Sequence, residues 1–420
     1  MPSDVDVAIV GAGPAGSASA ILLTRQGYRV ALIDKATFPR DKACAEYMSP
    51  AIEGILQRLG VLEQVEAAHP AHLLGFDIYS AKGHSFRADF AGNRKPDGKP
   101  YYQYGLALSR QILDHLLIEQ ARREGAEVLE GTRLQTFQIE RVGSAETSVS
   151  LTLQEAHART AAEGTKTLHA RLLVAADGVH SIIARRLGVQ QMSVRQRKIA
   201  LVTHMRGIAD LGVYGEMHVG RTSYAGLAPL EPPEIGDLCN VAIVVDEHEA
   251  PQLAGKTDAF FDARLREFPA LAGRLEGARR TKPLLAISRL AVRARRYSAD
   301  GVMLVGDATS FYDPFTGEGI YRALRGAELL AEVAGAALVS GDCTAARLSA
   351  YDRQHRREFA GKRTVEQIVQ ILISRPALFD HVTKRLASKK RLADTIVGVT
   401  GDFLPPINVL SPVFLAQVLI

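Results

Sequence analysis

"DVDVAIVGAGPAGSASAILLTRQGYRVALIDKA", Asp4 to Ala36, decides the fold. Val5 to Val10 is an unbroken apolar run of strand type. Gly11, Gly13 and Gly16 follow it in the order G-x-G-x-x-G. Ser17 to Gln26 has helix composition and Gly27 stops it. Arg29 to Ile33 is a second strand, closed by Asp34. A lone glycine triplet is weak, but strand, glycines, helix, strand and terminal acid at this spacing describe a dinucleotide-binding βαβ unit. Gly11 makes the tight turn, Gly13 admits a pyrophosphate to the backbone N–H groups, and Gly16 lets the helix pack on the strand. The helix N-terminus favours the phosphates, and Asp34 accepts from ribose hydroxyls. Ala15, inside the turn, and Lys35, beside Asp34, join the candidate contacts.

The bulk numbers agree with an enzyme of two or three domains. At 420 residues the chain exceeds the reach of one core, and 47% hydrophobic with 23% charged residues is globular composition. The net charge of +5 is spread thinly, with its densest stretches at Arg289 to Arg296 and Arg353 to Arg363. No nucleic-acid-reading motif accompanies them, so nucleic acid is excluded as a partner. Cys44, Cys239 and Cys343 are too few and too scattered for a disulfide frame or zinc site, which points to a reducing cytoplasm and no metal. No charged leader precedes an apolar run and no long uncharged apolar stretch occurs, so neither a signal peptide nor a spanning helix is expected. From Ile396 to Ile420 the only charge is Asp402, and Pro405, Pro406 and Pro412 break the stretch. It reads either as a segment packed on the core or as a greasy lip making peripheral membrane contact.

Further along, the chain resembles the geranylgeranyl reductase family of flavoproteins, within the p-hydroxybenzoate hydroxylase-like fold. Phe38, Pro39, Arg40, Lys42, Cys44, Ser49 and Pro50 follow that family's "FPR-K-C---SP", although Ala45 replaces its glycine. "LSRQILDHLL" places Arg110 at a flavin-nucleotide contact. "LLVAADGVHSIIARRLG" carries Asp177, Gly178 and Ser181, with Ala184 where an arginine is usual. "GVMLVGDATSFYDPFTGEGIYRAL" carries Gly306, Asp307, Pro314, Gly317, Gly319 and Ile320. The resemblance implies FAD, with Asp307 on the ribityl chain. The Pro314–Gly319 turn then begins a helix aimed at the flavin ring, whose reduced form gathers negative charge there.

It also implies an α/β fold: a Rossmann-like, glutathione reductase-like FAD domain with an inserted antiparallel-sheet substrate domain and C-terminal helices. The FAD domain is expected at 1–75, 104–188 and 287–341, the substrate domain at 76–103 and 189–286, and the helical region at 342–420. "SVSLTLQEAHARTAAEGTKTLHARLLVAAD" predicts two strands around a polar loop.

Three reactions run on this fold. Alkene reduction is marked by "PFTGEGI" and "FPRDKAC". The family's Tyr-x-Trp-x-Phe-Pro segment reads here Tyr224-Ala225-Gly226-Leu227-Ala228-Pro229, and the two lost aromatics predict a cavity for a bulkier lipophilic substrate. Hydroxylation of an aromatic or electron-rich substrate uses the same flavin motifs. Halogenation is disfavoured, since the halogenase W-x-W-x-I-P segment needs tryptophan and the chain has none. Candidate catalytic residues are Cys44, as thiol or proton source, with Glu46 and Tyr224. A buried cysteine and a solvated Glu46 are the plain alternatives. His204 is expected to be structural or exposed. No second glycine fingerprint is present, so NAD(P)H approaches transiently or a separate reductase supplies electrons.

Overall fold

The computed structural model describes residues 4–142, 146–156, 164–192, 197–253, 255–288 and 290–419. Val5–Val10 lies in the centre of an eight-stranded sheet, parallel to Val30–Ile33 on one side and Thr165–Ala175 on the other. Glu127–Leu129 and Val302–Leu304 extend it, also in parallel. Val7, Ala8 and Ile9 are fully buried, as a strand covered on both faces requires. Helices Pro14–Arg25 and Gly319–Ser340 pack against each other beside it. Glu146–Glu155 pairs antiparallel with Thr165–Ala175. The polar loop expected between them falls largely at 157–163, outside the described residues.

A second eight-stranded sheet joins strands from both insertions. Gly75–Tyr79 and Ser85–Asp89 form a hairpin, and Gly75–Tyr79 pairs in parallel with Gly215–Val219. Ser223–Pro229, Cys239–Asp246 and Lys198–Arg206 continue the sheet antiparallel. Leu285–Ser288 also pairs with Lys198–Arg206, so this sheet runs to Ser288. One face packs on Phe261, Leu265, Phe268 and Leu271. The other, carrying Tyr224 and Ala228, meets the C-terminal helices.

Those helices run Ala345–Ile373, Pro376–Leu386, Lys390–Thr400, Ile407–Leu410 and Pro412–Leu419. Val397, Val399, Val409, Phe414 and Val418 bury into one apolar cluster with Phe90 and Leu73. The apolar C-terminal stretch is therefore largely packed on the core, while Ile407, Val413 and Leu419 stay exposed. Among the described residues no helix is long and apolar enough to cross a membrane.

Candidate active site

The site begins at the carboxyl end of the central strand, where an open parallel sheet places its ligands. A Cβ on Gly11 would lie 2.3 Å from the Ala176 carbonyl oxygen, and one on Gly16 would lie 1.8 Å from that of Gly11. Both glycines are fixed by backbone contact. Gly13 differs: a Cβ there would meet only Arg40 Nη2 at 3.7 Å and Arg110 Nη2 at 3.8 Å. Two guanidiniums thus face the start of the Pro14–Arg25 helix. Asp114, fully buried, binds both: its oxygens accept from Arg110 at 2.7 and 2.8 Å, and Arg40 Nη1 stands 3.0 Å away. One carboxylate for two guanidiniums leaves positive charge uncompensated. Lys42, whose side chain is open to solvent, adds to it; desolvation by the surrounding protein, then Arg110 and Arg40, push its ammonium below the usual range.

This surplus at a helix N-terminus fits a pyrophosphate. Asp34 Oδ2 accepts from Ala12 N at 2.7 Å and Oδ1 from Ala36 N at 2.8 Å, which ties the turn to the second strand. Each oxygen retains a lone pair for a ribose hydroxyl. Lys35 beside it is exposed. Asp177 Oδ2 accepts from Ile182 N at 2.7 Å, while buried Oδ1 has no partner among the described residues. Gly178 next to it faces open space. Gly306 abuts Ala15, and Asp307 is half-buried; burial raises its pKa, against Lys42 and Arg110. The residues expected at the glycine turn are therefore brought together, with positive charge to spare.

The Pro314–Thr316 turn is held from below. Asp313 Oδ1 accepts from Phe315 N at 3.0 Å and from the Tyr224 hydroxyl at 2.6 Å. Lys198 Nζ donates to Asp313 Oδ2 at 2.8 Å. Tyr224 is buried, and burial and Asp313 push its pKa well up, so its hydroxyl is committed to positioning the turn. Gly317 has φ +70°, and its Cβ would lie 2.6 Å from the Tyr47 ring. That glycine makes room for Tyr47, where a flavin ring was expected to require it. Gly319, at the start of its helix, faces open space, and Ile320 is in the core.

Glu46 is fully buried at φ +60°. Its Oε1 accepts from Arg110 N at 2.9 Å, and its Oε2 meets His204 Nε2 at 2.5 Å and Asn240 Nδ2 at 2.8 Å. It joins the nucleotide-binding half to the second sheet and is not solvated. Asn240 also donates to the Cys44 carbonyl at 2.9 Å. Cys44 Sγ, half-buried beside Ala45, accepts from Glu46 N at 3.3 Å. Burial pushes its thiol up, opposed by Arg110, so the thiol keeps its proton at neutral pH. Gly226 remains partly accessible, but its cross-strand neighbour Met217 refills part of the missing aromatics' space, Sδ lying 3.2 Å from a Cβ there.

The sequence reading missed Glu318. It is buried, and its pKa is pushed up to about 8 by burial, against Lys362, with Asp402 and Glu366 adding to the rise. Lys362 Nζ lies 3.9 Å from Glu318 Oε2 and also binds Asp402. Its place in "TGEG" was visible, but its partners lie in distant helices. The Arg110–Asp114 pair, by contrast, has a readable i, i+4 spacing.

The chain belongs to the family described as FAD binding domain, whose model matches residues 4–367. It is 27% identical over 412 residues to Conditioned medium factor receptor 1 of Dictyostelium discoideum, covering 94% of this chain and 76% of that protein. It is 29% identical over 362 residues to Digeranylgeranylglycerophospholipid reductase 1 of Methanothermobacter thermautotrophicus, covering 85% and 84%. The solved flavin-dependent halogenase CmlS is similar in fold, with TM-score 0.74 and 23% identity, over 93% of this chain and 66% of the halogenase. The chain is an FAD-dependent oxidoreductase with a geranylgeranyl reductase-like sequence.

Proposed function

We propose that this oxidoreductase reduces, or in reverse dehydrogenates, a carbon–carbon bond of a bulky lipophilic substrate. FAD, when bound, supplies hydride chemistry. The observation that carries the reading is Cys44, a protonated, half-buried thiol beside Arg110 at the junction of crevice and second sheet. Saturating an alkene takes one hydride and one proton. The neutral thiol gives the proton, Arg110 favours the thiolate left behind, and water restores it. Arg40, Arg110 and the glycine turn hold the pyrophosphate, and Tyr224 and Lys198 hold the Pro314–Thr316 turn through Asp313. Gly226 and Ala228 stand where the resembling family has Trp and Phe, which favours a substrate broader than a slim prenyl chain. Exposed Ile407, Val413 and Leu419 offer a surface for the membrane in which such a substrate dissolves. Electrons come from NAD(P)H or a separate reductase.

The test is anaerobic mixing of the reduced, FAD-loaded protein with polyprenyl and polyene alkenes. Return of the oxidised flavin spectrum with a saturated product supports the reading. Persistence of the reduced spectrum with every alkene overturns it. Hydroxylation is the second reading, because the Asp177-Gly178 and Gly306-Asp307 motifs serve it equally well. Incorporation of labelled oxygen into product would establish it.

A further inference from the structure

The two densest basic stretches of the sequence meet around one cavity of about 890 Å³. It lies between the strand Ser310–Phe311 and the helix Ala345–Ile373, and shares no residue with the crevice just described. Four arginines line it: Arg293, Arg322, Arg356 and Arg363. Arg322 is paired with Glu366 at 2.7 Å and also reaches Ser310 Oγ at 3.2 Å. Arg356 donates to the Arg295 carbonyl and stands 3.8 Å from Asp352, whose oxygens already accept from Tyr297 N and Ser298 Oγ. Arg293 and Arg363 have no side-chain partner among the described residues, and both are exposed. Among the described residues Glu366 is the only carboxylate in the lining, so the cavity carries a surplus of positive charge.

The walls are not only cationic. Phe311 and Tyr312, both half-buried, give apolar surface. His355, 3% exposed, also lines the cavity; its Nδ1 has no partner among the described residues, while Nε2 lies 3.4 Å from Thr309 Oγ1. Burial, then Arg322 and Arg356, hold this imidazole neutral, with its pKa pushed down to about 3. The exposed Gln367 amide adds a donor and an acceptor. The volume is that of a small-ligand site.

We propose that this cavity binds an adenosine phosphate at a site separate from the flavin. Arginines take the phosphates in bidentate pairs, the aromatic rings flank the base, and the exposed Gln367 amide meets its polar edge. The site needs no covalent step and holds whether the flavin reaction is reduction or hydroxylation.

Isothermal titration of the FAD-loaded protein with ADP, adenosine and inorganic phosphate tests it. ADP is expected to bind at one site, at least about tenfold more tightly than adenosine or phosphate, and more weakly as salt rises. Arg363→Ala and Arg293→Ala should each weaken ADP by about tenfold, with FAD affinity unchanged within about twofold. Lysine at either position should restore part of the loss. Four results would overturn the proposal. They are no binding to the FAD-loaded protein, ADP binding only when flavin is absent, affinity untouched by both alanine variants, or phosphate binding as tightly as ADP.

Discussion

Glu318 has the least ordinary environment of the acids around the Pro314–Gly319 turn. It is enclosed with Asp402 and Lys362, and its Oε2 lacks a donor among the described residues. Its folded pKa, about 8, lies above the ordinary 4.5. The folded state therefore keeps a proton that the unfolded chain releases. Stability from this acid is complete below about pH 4.5 and is lost as pH rises through about 8. Neutral His355 has the opposite sign: stability is lost as pH falls from about 6.5 towards 3. Between about pH 6.5 and 8 the His355 contribution is already complete, and the Glu318 cluster dominates. Urea denaturation across that window should show stability falling with pH in the native protein and a flatter dependence in Glu318→Gln. An unchanged slope would remove Glu318 as its source. At this scale the sequence was legible where one residue's chemistry is local. Asp34 closes its strand and Asp177 sits in its Asp-Gly turn as expected. Glu46 was not legible, because His204 and Asn240 reach it from strands 158 and 194 residues away. Register across a sheet decides such contacts, and no local pattern encodes it.

Among the elements, the glycine turn was the most readable, yet Gly13 proves to have a different reason from Gly11 and Gly16. Gly16 is packed against backbone, whereas Gly13 has φ −75° and faces only two arginine side chains. Gly16→Ala should cost more than about 3 kcal/mol of stability, since its Cβ overlaps the Gly11 carbonyl. Gly13→Ala should change stability by less than about 1 kcal/mol yet weaken FAD by about tenfold, because it intrudes only where a pyrophosphate sits. Thermal melts and flavin titration of the two variants separate the effects, and equal stability losses would contradict this assignment. The Pro314–Thr316 turn was read correctly as a strand–turn–helix start. Its support was not: Asp313 collects Tyr224 from one strand and Lys198 from another, and Tyr47 fills the space beside Gly317. Side chains brought together by folding, rather than by spacing, set those contacts.

At the scale of the molecule, the parallel sheet supplies the crevice and the second sheet closes one side of it, with Glu46 and Asn240 as the junction. The C-terminal helices cover the face of the second sheet that carries Tyr224 and Ala228. The order of strands and glycines made the parallel sheet and the antiparallel insert foreseeable. The roof was foreseeable only as helical, because which apolar face meets which sheet depends on packing. The central claim is that the dinucleotide stretches along the crevice, its adenosine half on the glycine turn under Arg40 and Arg110. The most direct measurement is fluorescence titration of flavin-free native protein and its Arg110→Ala variant with FAD and with FMN, which lacks the adenosine half. The account predicts one FAD per chain, FMN weaker by at least about a hundredfold, and FAD weakened about tenfold or more by Arg110→Ala. FMN binding as tightly as FAD, or FAD binding untouched by the substitution, would contradict it.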